Sequence, residues 1–284
     1  MPDLTAATEL IQYSQWALAF VGLVLVAVWF LAPKLQPLRL QPPLVPRWDS
    51  SLGDTLLVCW VALCSIFLGS MLAGSIYRQL SLSSGDGWTS VLSALGFQGV
   101  LVVVLALFCF YRRTTGRPLP PAGRQPAAPL TDRILLGAAV FCVALPFVFA
   151  SSYAASETMK LFDLPVKLQD LAGLFHAGSS PLLLLALTFI SVVVAPLGEE
   201  VLFRAGIFRI ARSFLPRWAA ILLSALAFAS LHMNMVHFIP LTVLGIVFAL
   251  AYEKSGSLLV PVVAHGLFNL NSILNLLAGL GGTS

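Results

Sequence analysis

The chain has 284 residues, 58% of them hydrophobic and 10% charged, with a mean hydropathy of +0.93 and a formal net charge of +4. These values lie outside the range of soluble domains and define an integral membrane protein. Its basic residues concentrate between apolar stretches, where they suit an anionic inner leaflet, and give no reason to expect a nucleic-acid partner.

The apolar stretches predict an all-α, polytopic bundle. Residues 10–33, 55–77, 87–111, 134–156 and 171–198 each hold an uncharged run long enough to cross a ~30 Å hydrocarbon core as a helix. The uncharged run from Trp218 to Tyr252 would make a single helix of ~52 Å, too long for one crossing. It is therefore divided at the polar break around Asn234–Pro240, leaving a short seventh span over about 239–252. The last span starts near Leu258, for a total of about eight. The first is preceded by Asp3 and Glu9 with no basic segment, the pattern of a retained anchor rather than a cleaved signal.

Three units are expected: N-terminal transmembrane helices over 1–111, a Pro/Arg-rich cytoplasmic linker over 112–133, and a chemistry-bearing membrane domain over 134–284. Alternate loops divide the Lys and Arg residues 13 to 3, which places both termini away from the cytoplasm. Gly69 and Gly74 suggest a close-packing seam. The apolar spacing in 157–180 suggests a short interfacial helix with a structural role. Cys59, Cys64, Cys109 and Cys142 all fall inside predicted spans without a CxxC pair, and read as small core residues.

Against this background Glu199 and Glu200 stand out. A charged side chain at membrane depth costs roughly 2.5–3.5 kcal/mol, and a pair adds mutual repulsion. Arg204 is the i+4 partner of Glu200 and neutralises one carboxylate, leaving Glu199 unexplained. Phe228 and His232 share one helical face, as do His265 and Asn269. His176, His237, Asn234, Asn271 and Asn275 read instead as packing, helix-end or interhelical hydrogen-bonding residues.

The turn near 215–216 lies about 16 residues after Glu199 and 17 before His232, so an antiparallel hairpin sets both roughly 24 Å from it. His265 lies about eight residues past the next turn, roughly 12 Å deep. The depths agree if the hairpin projects about two turns beyond the core, giving a pocket open to the cytoplasmic side.

Such a set suits amide hydrolysis. A carboxylate can take a proton from water, an imidazole can orient that water, and a second imidazole with an amide N–H can donate to a developing oxyanion. A metal is an alternative: Glu199, His232 and His265 supply a Glu/His₂ zinc ligand set with Glu200 as base. The sequence contains neither a Gly-x-Ser-x-Gly elbow nor His-Glu-x-x-His. Buried Glu and His also build proton relays, but no inverted repeat accompanies them here.

In order, Glu199-Glu200-x-x-x-Arg204, Phe228-x-x-x-His232 and His265-x-x-x-Asn269 resemble the CPBP family, the type II CAAX prenyl endopeptidases and bacteriocin-processing or Abi-type membrane proteins. The likeness covers roughly residues 180–275 and leaves the three N-terminal spans outside. It implies an intramembrane endopeptidase of the bacterial plasma membrane acting on a hydrophobic or prenylated peptide in contact with lipid. By analogy Glu199 is the general base, His232 its partner at the water, His265 and Asn269 the oxyanion hole, and Glu200 with Arg204 the supporting pair. The family carries both a metalloprotease label and a metal-free glutamate mechanism; the metal-free form is preferred here, with zinc as the alternative cofactor. The competing reading is a non-catalytic immunity or scaffold protein of the same family.

Overall fold

The computed structural model describes residues 4–36, 44–45, 48, 51–80, 87–116, 123, 128–163 and 180–280. Its helices are α1 (Leu4–Leu31), α2 (Leu52–Leu80), α3 (Trp88–Thr114), α4 (Leu130–Leu161), α5 (Pro181–Phe214), α6 (Arg217–Leu231), α7 (Met235–Ser255) and α8 (Leu259–Leu277). Among the described residues there is no strand, and seven of these helices are long and apolar enough to cross a membrane. The expected all-α polytopic bundle is the architecture observed.

The short helix is not where the sequence reading put it. The polar break runs over 232–234, Asn234 caps α7 by accepting from the Val236 and His237 N–H groups at 3.0 and 3.2 Å, and α7 runs for 21 residues with Pro240 inside it. Pro240 deletes one backbone bond without ending the helix, which the Asn234 cap starts five residues before it. It is α6, with 15 residues, that is short. At about 22 Å it does not reach across a full hydrocarbon core.

The fifth span is longer than expected. Ser180 caps it, accepting from Leu183 N–H, with Pro181 at the first helical position. The helix then continues through the basic segment to Phe214, 34 residues in all, and stops where Leu215 turns extended before Pro216. Two stretches of it, Ile190–Val194 and Val201–Phe208, are π-helical and flank the glutamate pair. Such widened turns shift the backbone hydrogen-bond register and recur at functional sites.

The helices meet through small residues. Gly69 lies against the backbone of Gly96 and Phe97, joining α2 to α3, whereas Gly74 faces open space, so the expected seam rests on the first glycine alone. Gln15 on α1 and Asn271 on α8 exchange two amide hydrogen bonds of 2.7 and 2.9 Å, which gives Asn271 the interhelical role expected of it. A central apolar cluster draws Phe141, Leu145 and Val148 of α4 together with Leu244 and Phe248 of α7. Outward-facing Trp16, Phe20, Trp60, Phe67 and Phe110 give the bundle the apolar rim of a lipid-facing surface.

The arginine-bearing segments converge. Glu253, fully buried, binds Arg217 at 2.6 Å and approaches Arg212 at 4.0 Å, while Arg112 binds Asp54 at 2.7 Å. Arg209 lies over the Trp48 ring, and the Ser213 hydroxyl donates to the Trp48 carbonyl. Residues 164–179, which include His176 and most of the expected interfacial helix, lie outside the described residues.

Candidate active site

The site forms where α5, α6, α7 and α8 close around Arg204. This guanidinium is fully buried: Nη1 donates to Glu200 Oε1 at 2.9 Å, Nη2 donates to the Gly245 carbonyl at 3.3 Å, and the rings of Phe228, Phe248 and Phe203 lie 4.6, 5.3 and 5.9 Å from it. Two acceptors and three aromatic faces replace the hydration that the charge loses on burial.

Glu200 is held from both sides. Its Oε1 also receives His265 Nδ1 at 2.9 Å. With the carboxylate ionised against Arg204, Nδ1 carries the hydrogen, and His265 turns Nε2 toward Glu199 Oε2, 3.8 Å away. That gap is too long for a direct hydrogen bond. Glu199 differs from its neighbour in that its side chain is 17% exposed and no arginine hydrogen-bonds it, while Oε2 of each glutamate has no hydrogen-bond partner among the described residues.

His232 ends α6. Its Nδ1 lies 3.0 Å from the Phe228 carbonyl one turn back, which makes that nitrogen the donor and leaves Nε2 as a bare lone pair. Phe228 also touches His265, at a centroid distance of 5.5 Å against 5.0 Å to His232, so one ring separates the two imidazoles. The structure brings Glu199, Glu200, Arg204 and His265 into one cluster and sets His232 across Phe228 from it. Asn269, one turn beyond His265, donates Nδ2–H to the Ser191 carbonyl at 2.7 Å, inside the first π-helical stretch. Its second amide hydrogen is not used by that bond.

The alternative ligand set was tested on this geometry. Among the described residues no three His, Cys, Asp or Glu side chains converge to hold a metal ion, and Glu199, His232 and His265 do not point at one centre. Both Nε2 atoms would suit a metal, since each Nδ1 is fixed by an acceptor, but the set as placed does not fit one.

Sequence reasoning missed three contributors. The Gly245 and Ser191 carbonyls are backbone atoms whose role no residue type announces. Phe248, 5.3 Å from the His265 ring, looks like any other core aromatic.

The fold is that of a polytopic, all-α membrane protein with a buried carboxylate–imidazole cluster. Comparisons agree. Residues 181–271 match the family model described as Type II CAAX prenyl endopeptidase Rce1-like. The chain is 29% identical over 197 residues, covering 67% of it and 82% of the relative, to an "Uncharacterized 24.3 kDa protein" of Escherichia coli. It is 27% identical over 178 residues, 62% of the chain and 68% of the relative, to the "Putative membrane peptidase YdiL" of Bacillus subtilis (strain 168). No solved structure matches it. Residues 181–271 thus resemble the Rce1-like endopeptidases, and they lie in an integral multi-pass membrane protein.

Proposed function

We propose that this protein is an intramembrane endopeptidase that hydrolyses a peptide bond in a membrane-associated or lipidated, CAAX-type substrate. The observation that carries the proposal is His265, 2% exposed, held at 2.9 Å by an arginine-neutralised Glu200 while facing Glu199, a second carboxylate with no cation within hydrogen-bond distance. A packing histidine needs one partner. A histidine between a neutralised and a free carboxylate is placed to handle a proton.

In this mechanism Glu199 takes a proton from water and the hydroxide adds to the scissile carbonyl. His265 in its protonated form, fixed through Nδ1 to Glu200, donates Nε2–H to the oxyanion, with the spare Asn269 N–H as a second donor. His232 stands as the partner of Glu199 at the water, as the resemblance implies. Collapse of the tetrahedral intermediate passes the Glu199 proton to the departing amine, so the carboxylate is regenerated and atoms balance. The Arg-rich helix ends suit a site reached from the cytoplasmic face of a bacterial plasma membrane.

The test is cleavage of a fluorogenic farnesylated CAAX peptide by the purified protein in lipid, beside Glu199→Ala and with the unprenylated peptide in parallel. Cleavage lost in the variant supports the reading, and preference for the farnesylated peptide assigns the substrate class. Repeating the assay with a chelator reads metal dependence directly. A biological effect retained by Glu199→Ala overturns the enzymatic reading in favour of a non-catalytic immunity or scaffold role.

A further inference from the structure

The face that α3 turns toward α5 is apolar except at one position. Phe97, Leu101 and Leu105 pack with Leu202, Phe203 and Phe228, and beside them sits Gln98, 6% exposed. Its carboxamide rests on Gly198, the residue before Glu199; a Cβ there would collide with Gln98 Oε1, so the missing side chain is what admits the amide. Gln98 lies outside the matched residues 181–271.

A buried amide between helices is ordinarily interhelical glue or filler. The first does not describe Gln98, because Oε1 has no hydrogen-bond partner among the described residues. It faces the Cα–H of Gly198 and nothing stronger. Filling space does not account for it either, since Leu or Met would occupy the same groove without burying an unmatched polar atom. Glu199 Oε2 and Glu200 Oε2 share the defect, being buried without a donor, and of the two only Glu199 has an exposed side-chain fraction. Gln98 Oε1, seated on Gly198, and Glu199 Oε2, on the next residue of α5, are thus neighbouring unmatched acceptors. One water molecule placed between them would donate a hydrogen to each and keep its lone pairs for a carbonyl carbon.

We propose that Gln98 is a positioning residue for the hydrolytic water: as the site admits water, Oε1 accepts one of its hydrogens while Glu199 accepts the other. The N-terminal helices then complete the site rather than only anchoring it. The inference rests on the hydrolase reading above. Gln98 does not touch the peptide, so its loss alters turnover and not substrate affinity.

The experiment compares wild type, Glu199→Ala and Gln98→Met in lipid, reading kcat, KM and Tm with the fluorogenic farnesylated peptide. Gln98→Met keeps the volume and removes the acceptor. The expected result is a kcat lower by about tenfold, a KM within about twofold, and a Tm at or above wild type. Wild-type kcat in Gln98→Met overturns the proposal and leaves the hydrolase reading standing. A fall in kcat accompanied by a lower Tm and a raised KM also overturns it, since that is the mark of packing. If Gln98→Met does not fold, Gln98→Leu is read the same way, and failure of both to fold makes the amide structural and overturns it. A wild type that cleaves nothing overturns the hydrolase reading and this inference together.

Discussion

His265 Nδ1 and Arg204 Nη1 each lie 2.9 Å from the same oxygen, Glu200 Oε1. One carboxylate oxygen, fully buried, therefore ties α8 to α5 and sets the direction in which the other imidazole nitrogen points. The i,i+4 pair that sequence spacing suggests as local neutralisation is also the anchor of a residue 65 positions away. Orientation of an imidazole by a carboxylate is a recurrent way to fix which nitrogen carries the hydrogen.

Arg204→Met leaves Glu200 buried without its counter-ion, and is expected to cost about 3–5 kcal/mol and to lower Tm sharply. The double variant Arg204→Met with Glu200→Gln removes both charges and recovers most of that loss, yet cleaves nothing. Thermal unfolding in detergent checks the first part and the peptide assay the second. A single variant as stable as wild type would contradict the buried-pair account.

Glu199 has no cation within hydrogen-bond distance, its nearest being His265 at 3.8 Å. Glu199→Gln is therefore expected to unfold within a few degrees of wild type while losing cleavage by about a thousandfold or more. A large drop in Tm would show that Glu199 is a structural ion and not a free base.

His232 and His237 are separated by the cap of α7, and only His232 stands beside Phe228. His232→Ala is expected to abolish turnover with the fold intact, and His237→Ala to leave it close to wild type. Equal damage from the two would move the site away from its assigned face.

The Gln15–Asn271 amide pair can be measured by a double-mutant cycle. Each single Leu substitution strands one amide and should cost about 1 kcal/mol, whereas the double substitution should fall well short of the sum. Additive losses would mean that the two side chains do not interact.

At the arginine-rich end, burial alone would raise the Asp54 carboxyl, but the Ser51 N–H and hydroxyl and the Arg112 guanidinium outweigh it and hold it below the usual aspartate range. A carboxylate depressed in the folded state stabilises fully above its unfolded value of ~3.9, and that contribution is lost as pH falls through the lower folded value. Asp54→Asn should accordingly flatten the acid side of the stability profile below about pH 4, read as Tm against pH.

The membrane class, the approximate number of spans and the presence of polar groups at membrane depth are legible in the chain itself. Hydrocarbon thickness sets helix length, and ionisable residues at membrane depth are too costly to be incidental. Helix ends were less legible. The cap at Asn234 and the passage of α5 through the arginines to Phe214 depend on local bonds that competed with proline and charge signals. Which imidazole faces Glu199 was beyond reach: the resemblance paired it with His232, and tertiary packing brings His265 to 3.8 Å. Gln98, more than a hundred residues from Glu200 in the chain, meets Gly198 only because α3 packs on α5. Composition and spacing determine what can be buried and at what depth, since those costs are paid residue by residue. Which groups touch is decided by helix rotation and packing, where a single missing Cβ is enough to bring an amide beside the glutamate pair.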